Sequence, residues 1–294
     1  MPKHYLDSYR GDPSDIQQHF PSYDLQLLCC RFWTLRRWEF KDLTFPYWRL
    51  YYNLQEGAHI RWEQGQIEIC PTKIYLIAPN TPYSTHIKGH RVPEEGYRFE
   101  GERITKHNMN SKYINHLFVH FNLGIPYDSI TPGIISVPLS PSMQSKIETI
   151  IKQLLDDAVE FSFLSNLTIR ALVNELLCVI PQEKWQDLSQ DSRIVKSLNY
   201  IENNLSKDLT NTALAKQVDL ATNSFTRLFS EEIQTTPQRY VKQKRIDKAC
   251  ILLHHSNHSI ERIAEICGFS DRYHFSRIFK ESTNSTPATY RKLR

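Results

Sequence analysis

The chain lacks the glycine fingerprints of nucleotide chemistry: neither the P-loop spacing nor a dinucleotide GxGxxG occurs, and no nucleophile elbow is present. An enzyme is therefore not expected, and no catalytic residue is assigned. Long apolar runs are also missing. None reaches the ~18 residues of a membrane span, and the opening MPKHYLDSYRGD has no apolar signal-peptide core. A cytoplasmic protein without a membrane partner is the expectation. The six cysteines, Cys29, Cys30, Cys70, Cys178, Cys250 and Cys267, show neither CxxC nor zinc spacing and are read as reduced small hydrophobes. Cys29 and Cys30, adjacent in the chain, are the least determined of them.

What is present is uneven. The 294 residues carry a formal charge of +4, but residues 193–294 hold 17 Lys and Arg against 10 Asp and Glu, whereas residues 1–192 hold 19 against 22. The positive balance that a polyanion needs sits in the tail. Length predicts two domains, and the 40% apolar content supports two cores.

The tail repeats itself. At an offset of 50, Phe225, Arg227, Phe229, Thr236-Pro237 and Tyr240 meet Phe275, Arg277, Phe279, Thr286-Pro287 and Tyr290. In each copy a short apolar-periodic segment precedes a tight turn. A second segment then places apolar residues at i, i+3 and i+4 (Phe225, Leu228, Phe229; Phe275, Ile278, Phe279), which is helix-turn-helix spacing. Gly268 supplies the left-handed turn residue of the second copy, where the first has Asp219. Opposite the apolar stripes the helices present Asn223, Ser224, Thr226, Arg227 and Ser230 in one copy, and Tyr273, His274, Ser276, Arg277 and Lys280, with Arg272 at the leading edge, in the other. Such groups bond base edges and phosphates. A lone cationic helix is more often a solvated face, and the repetition is what favours double-stranded DNA as the partner.

These features, above all IAEICGFSDRYHFSRIFKESTNSTPATYR over residues 263–291, resemble the AraC/XylS family of bacterial transcription regulators. The resemblance implies two helix-turn-helix motifs bridged by a long helix, here Pro237 to about His255 with Ile246, Ala249, Cys250 and Leu253 buried. It also implies an amino-terminal sensor and recognition helices set in successive major-groove segments.

Upstream, short β-rich runs from Trp33 to about Pro138 (FPYWRLYYNL, AHIRWE, QIEIC, KIYLIAP, INHLFVHFNL, GIISVP) predict a small antiparallel barrel or jelly roll. In AHIRWEQG, LIAPNTPY and HLFVHFNLG this stretch resembles the cupin-like sensor barrel of sugar-responsive family members. Residues 91–112 read as a charged excursion, either a mobile loop or a lid. Helical spacing returns after Ser140-Pro141 and again from about Asn166 to Ile180. The expected fold class is thus a multidomain β plus α chain. It has a cupin-like effector-binding and dimerisation domain over 1–180 (barrel about 30–138, helices about 141–180), a linker over 181–192 and an all-α AraC-type DNA-binding domain over 193–294. Ser192 is the expected cap of its first helix.

Four tryptophans lie in the first 62 residues, joined by Tyr47, Tyr51, Tyr52, Tyr75 and Tyr83, and aromatic faces stack on sugars while Arg49 or Arg61 bonds hydroxyls or an acid group. Trp48, Tyr52, Arg61, Trp62 and His120 are the candidate ligand-binding residues, and a core role for each is the competing reading. Metal-binding cupins use two histidines one residue apart, but the corresponding run here is His59-Ile60-Arg61, with Glu63 beyond. His116 and His120 share a strand face and are read as hydrogen-bonded or surface residues, so no metal or other cofactor is expected. The resulting expectation is a homodimeric, DNA-binding regulator, an activator engaging RNA polymerase, controlled by a small molecule such as a saccharide. The alternatives are a cupin-type enzyme tethered by a DNA-binding tail, and a constitutive DNA-binding protein whose barrel only dimerises.

Overall fold

The computed structural model describes residues 23–94, 96–109, 112–185 and 191–292. Nine antiparallel strands make one sheet, in the order β4-β3-β6-β1-β8-β2-β5-β9 with β7 added against β1. In chain order these are β1 (Gln26–Leu43), β2 (Trp48–Asn53), β3 (Ala58–Trp62), β4 (Gly65–Ile69), β5 (Lys73–Ile77), β6 (Tyr83–Ile87), β7 (Tyr97–Arg103), β8 (Ile114–Asn122) and β9 (Ile134–Pro138). β1 is the spine. It pairs with β8 over its first half and with β7 and β6 over its second.

Alternation sorts the side chains into two layers. Trp48, Leu50 and Tyr52 of β2 and Leu117, Val119 and Phe121 of β8 point to one face, where they share a core with helices α1 (Pro141–Asp156) and α2 (Phe163–Leu177). Arg49 and Tyr51 of β2 and His116, Phe118 and His120 of β8 point to the other face and enclose a cavity. A register shift between Leu35 and Arg37 changes the parity of β1, so that Arg31, Trp33 and Leu35 before it and Trp38 and Phe40 after it all face that cavity.

Several expectations need correction. The sheet begins at Gln26 rather than near residue 30. The excursion at 91–112 contains β7, because Tyr97 and Phe99 alternate with charged neighbours and pack on Phe40. Arg36 pairs across the strands with Glu102 at 2.5 Å. The second helix spans 163–177 rather than 166–180, since Ser162 accepts from the Ser165 N–H and starts it early. In the expected linker, Trp185 already packs on Trp48, ring centroids 5.9 Å apart; residues 186–190 lie outside the described ones. Asp191, not Ser192, caps the next helix, its carboxylate accepting from the Arg193 N–H.

The helical tail runs α3 (Ser192–Asn203), α4 (Asn211–Gln217), α5 (Thr222–Ile233), α6 (Pro237–His255), α7 (Ile260–Ile266), α8 (Arg272–Thr283) and α9 (Pro287–Arg291). The repeated Thr-Pro-x-x-Tyr is a helix start. Thr236 and Thr286 cap α6 and α9, accepting from the Arg239 and Thr289 N–H groups, and a proline occupies the first turn of each. Left-handed Gln234 and Asn284 end the preceding helices. The tyrosines close the motifs, Tyr240 lying 5.6 Å from Phe229 and Tyr290 5.3 Å from Phe279, ring centre to ring centre. α6 buries two faces. Val241 joins the core of the first motif with α3, while Ile246, Ala249, Cys250 and Leu253 join the second motif. That second core is continuous with the barrel interior: Phe45, Tyr47 and Tyr51 belong to one apolar cluster with Ala264, Phe275, Phe279 and Tyr290.

Candidate nucleic-acid interface and interior cavity

α5 and α8 hold the residues singled out for contact with nucleic acid. Phe225 and Phe229, and Phe275 and Phe279, are fully buried, which turns the opposite faces outward. Asn223, Ser224 and Arg227 are exposed and Thr226 and Ser230 half-buried on α5. Arg272, Tyr273, His274, Arg277 and Lys280 are exposed and Ser276 half-buried on α8. Tyr273 is 85% exposed, an unusual placement for an aromatic ring. One feature was missed from spacing: Arg227 and Arg277 each lean toward a carboxylate one turn on, Glu231 at 3.9 Å and Glu281 at 3.2 Å. An incoming phosphate or base would compete with that carboxylate.

The two turns differ as their sequences do. In each, the residue after the turn bonds back to the small residue, Leu220 N–H to the Ala215 carbonyl and Phe269 N–H to the Ala264 carbonyl. The left-handed positions are Asp219 (φ 54°) and Gly268 (φ 76°). A side chain at Gly268 would collide with the Leu205 carbonyl and lie 2.9 Å from the Arg245 guanidinium, whereas the first turn carries a carboxylate at this position. Asp271 caps α8, accepting from the Tyr273 and His274 N–H groups at 2.8 Å each; these bonds, the one to His274 foremost, hold its carboxyl below the usual range. Ala221, at the start of α5, offers no side-chain cap.

The cavity between the barrel and the tail has a volume of about 250 Å³ and a mostly apolar wall. Its polar centre is Arg49, 6% exposed, which donates to the hydroxyls of Tyr51 (2.8 Å), Tyr83 (2.6 Å) and Tyr47 (2.9 Å). Phe45 lies flat against the same guanidinium, 3.4 Å from ring centre to Cζ. Among the described residues no carboxylate is paired with Arg49. Burial, with a smaller contribution from Arg49, drives the His116 imidazole down to about 3, and the same causes push His120 well below the ordinary histidine range. Both are neutral at pH 7.

Part of the wall belongs to the tail. His254 and His255, at the end of α6, face the cavity. His254 lies between the Tyr47 hydroxyl (Nδ1, 2.7 Å) and the Tyr290 carbonyl (Nε2, 3.0 Å). The carbonyl can only accept, so Nε2 carries the proton and Nδ1 accepts from Tyr47. A chain of hydrogen bonds thus runs from Arg49 through Tyr47 and His254 to the backbone of α9.

Of the five ligand candidates, only His120 lines this cavity. Trp48 faces the α1–α2 layer, its indole N–H bonded to Asp128 at 3.1 Å, and Tyr52 follows it there. Arg61 is exposed and Trp62 half-buried on β3, away from the cavity wall. The neighbours named with them in sequence, Trp33, Trp38, Tyr47, Arg49 and Tyr51, do line it. Parity decides: on β2 the even residues face the helices and the odd ones the cavity. Cys29, Arg31, Phe99, Phe118, His254 and His255 were missed. Strict alternation along β1 and β8 would have found Arg31 and Phe118, while nothing local points to the two histidines of α6.

Fold and surface together define a double helix-turn-helix chain joined to a β-barrel that encloses a cavity. Residues 214–293 match the family model described as "Helix-turn-helix domain", and this part of the chain is an AraC-type helix-turn-helix domain. Similar sequences include the probable transcriptional regulator LumQ of Photobacterium leiognathi, 30% identical over 50% of this chain and 57% of LumQ. The transcriptional activator RhaS of an Escherichia coli O139:H28 strain is 29% identical over 52% of this chain and 56% of RhaS. The chain thus spans about half the length of the curated relatives it matches. The structure of ToxT from Vibrio cholerae O395 bound to (E)-4-(8-methylnaphthalen-1-yl)but-3-enoic acid is similar in fold, at 11% identity and a TM-score of 0.50, over 93% of this chain and 99% of that one. Among the described residues no helix is long and apolar enough to cross a membrane.

Proposed function

We propose that the protein is a cytoplasmic transcription regulator, an activator, that binds double-stranded DNA through α5 and α8 and is controlled by a small molecule held in the barrel. The observation that carries this reading is the pair of outward helix faces, each holding an arginine and hydroxyl or amide donors over two buried phenylalanines. The two helices would enter successive major-groove segments, and RNA polymerase would be the further partner of an activator. Selection of bound sequences from a random duplex pool by the full-length protein tests it. A two-part consensus is expected; enrichment of no sequence sinks the reading.

A saccharide would stack on Trp33 and Trp38 and bond Arg49 through its hydroxyls. A second reading is favoured by the lining itself. A buried guanidinium that faces only neutral phenols in an apolar cavity is better matched by an aromatic or aliphatic carboxylate. Thermal stabilisation of the whole protein by panels of sugars and of organic acids separates the two, and a stabilising ligand that acts equally on Arg49→Met binds elsewhere. A homodimer is part of the proposal: Val159, Phe163 and Leu164, 80%, 80% and 71% exposed around the start of α2, form an apolar edge suited to a second copy. Sedimentation velocity of wild type against Phe163→Glu checks it, with a shift to monomer expected.

A further inference from the structure

Three metal-binding side chains converge where α6 meets the barrel, although they are far apart in sequence. Cys29 lies on β1, His120 on β8 and His255 on the last turn of α6, and their sulfur and ring-nitrogen ligand atoms fall within 4.8 Å of one another. Bonds of ~2.0 to 2.3 Å around a tetrahedral zinc place ligand atoms ~3.5 Å apart, so small rotations of the two imidazoles close the set. Cys29 and His120 are direct cross-strand partners, which ties two of the three ligands to the register of a sheet rather than to a loop. His120 adds an independent sign. It is only 7% exposed, yet among the described residues neither ring nitrogen has a hydrogen-bond partner, whereas a buried imidazole ordinarily spends its N–H on a neighbour.

We propose that Cys29, His120 and His255 bind a single metal ion of borderline to soft character, for which Zn²⁺ is the probe, with room in the cavity for one further ligand. One thiol and two imidazoles form a sulfur–nitrogen set that suits zinc and discriminates against magnesium and calcium, which require oxygen. Burial keeps His120 neutral, leaving a nitrogen lone pair to donate. Burial also raises the Cys29 thiol to about 11, against the opposing pull of Arg31, so that the free protein holds a thiol there. Binding therefore breaks the S–H bond, forms the metal–sulfur bond and releases one proton to solvent. Arg31 and Arg49 line the same cavity and oppose a dication; the thiolate offsets one positive charge, and an anion in the remaining position would offset another. Because the ligands come from β1, β8 and α6, the ion would fasten the barrel to the helix that bridges the two motifs. The site rests on its own geometry and does not depend on which organic molecule enters the cavity.

The test uses the full-length chain, stripped with chelator and reduced. Zn²⁺ is titrated against a chromophoric competitor, and Co²⁺ is added separately to report thiolate ligation through its near-ultraviolet charge-transfer band. One equivalent of zinc is expected, with the cobalt band present. Cys29→Ser should abolish the band, and Cys29→Ser, His120→Gln and His255→Gln should each weaken zinc binding at least 100-fold, while Cys70→Ser, outside the cluster, leaves it unchanged. Should His120→Gln fail to fold, Cys29→Ser and His255→Gln, at half-buried positions, still decide. Absence of stoichiometric binding, or binding that survives Cys29→Ser and His255→Gln together, overturns the proposal. DNA selection is unaffected by either result, so failure here is distinct from failure of the regulator reading.

Discussion

Gly268→Ala should destabilise the tail far more than its single added methyl implies. The left-handed φ of 76° costs an alanine ~1 kcal/mol. Its Cβ would also strike the Leu205 carbonyl and come within 2.9 Å of the Arg245 guanidinium, which is itself bonded to the Leu205 carbonyl at 3.0 Å and the Lys207 carbonyl at 2.8 Å. Arg245 cannot retreat without loosening both bonds, each a charge-assisted one worth ~1.5 kcal/mol. The sum is about 4 kcal/mol. The mirror experiment is Asp219→Gly. It relieves ~1 kcal/mol of left-handed strain and loses about half of that to the looser unfolded chain, a net gain of ~0.5 kcal/mol. The assay is urea denaturation of the full chain followed by far-ultraviolet circular dichroism, which reports the helices. Tryptophan fluorescence serves as the internal control, since Trp33, Trp38, Trp48, Trp62 and Trp185 all precede the tail. A loss below ~1.5 kcal/mol for Gly268→Ala would show that the turn adapts and that the close approach to the Leu205 carbonyl, just beyond α3, is not a constraint.

Arg277→Ala and Arg227→Ala should each weaken specific DNA binding by ~1 to 3 kcal/mol, with loss of base preference confined to one half-site; an equal loss on all duplexes in gel-shift titrations would make the arginine a phosphate anchor instead. α5, which lacks a side-chain cap, should exchange its amides faster than α8 in free protein, and protection over 222–232 equal to that over 272–282 would refute this. His116, held at about 3, and His120, lowered in the same direction, take up protons in the unfolded chain near 6.5 but not in the folded one. Their contribution is therefore complete above pH 6.5 and is lost as pH falls toward 3, and denaturation midpoints for His116→Gln should show a flatter decline through that window.

The tail was legible because its information is local. The i, i+3, i+4 phenylalanines turned the recognition faces outward before any packing was known, and the family resemblance placed α6 at its observed limits, which the Thr236 cap and Pro237 in the first turn account for locally. The barrel was legible as strands but not as a cavity. Which residues of β1 face inward depends on parity across its bulge, and on β2 the prominent Trp48 falls among the even positions that face the helices. β7 was hidden because its charged residues, paired laterally with Arg36, mask the alternation of Tyr97 and Phe99. His254 and His255 could not be placed at all: their role comes from the docking of one domain on the other, which no window of sequence encodes.

The continuity of the barrel interior with the second motif divides the two halves of the tail. The first motif completes its core with α3, and among the described residues Ile125 is the barrel-side residue packed against that apolar cluster. The second completes its core with Phe45, Tyr47 and their neighbours. A disturbance inside the barrel therefore reaches α8 through side chains already in contact, but reaches α5 mainly along the length of α6. On the proposed regulator reading, what the barrel holds would bear first on α8 and the half-site beneath it, and on α5 only by way of the bridging helix.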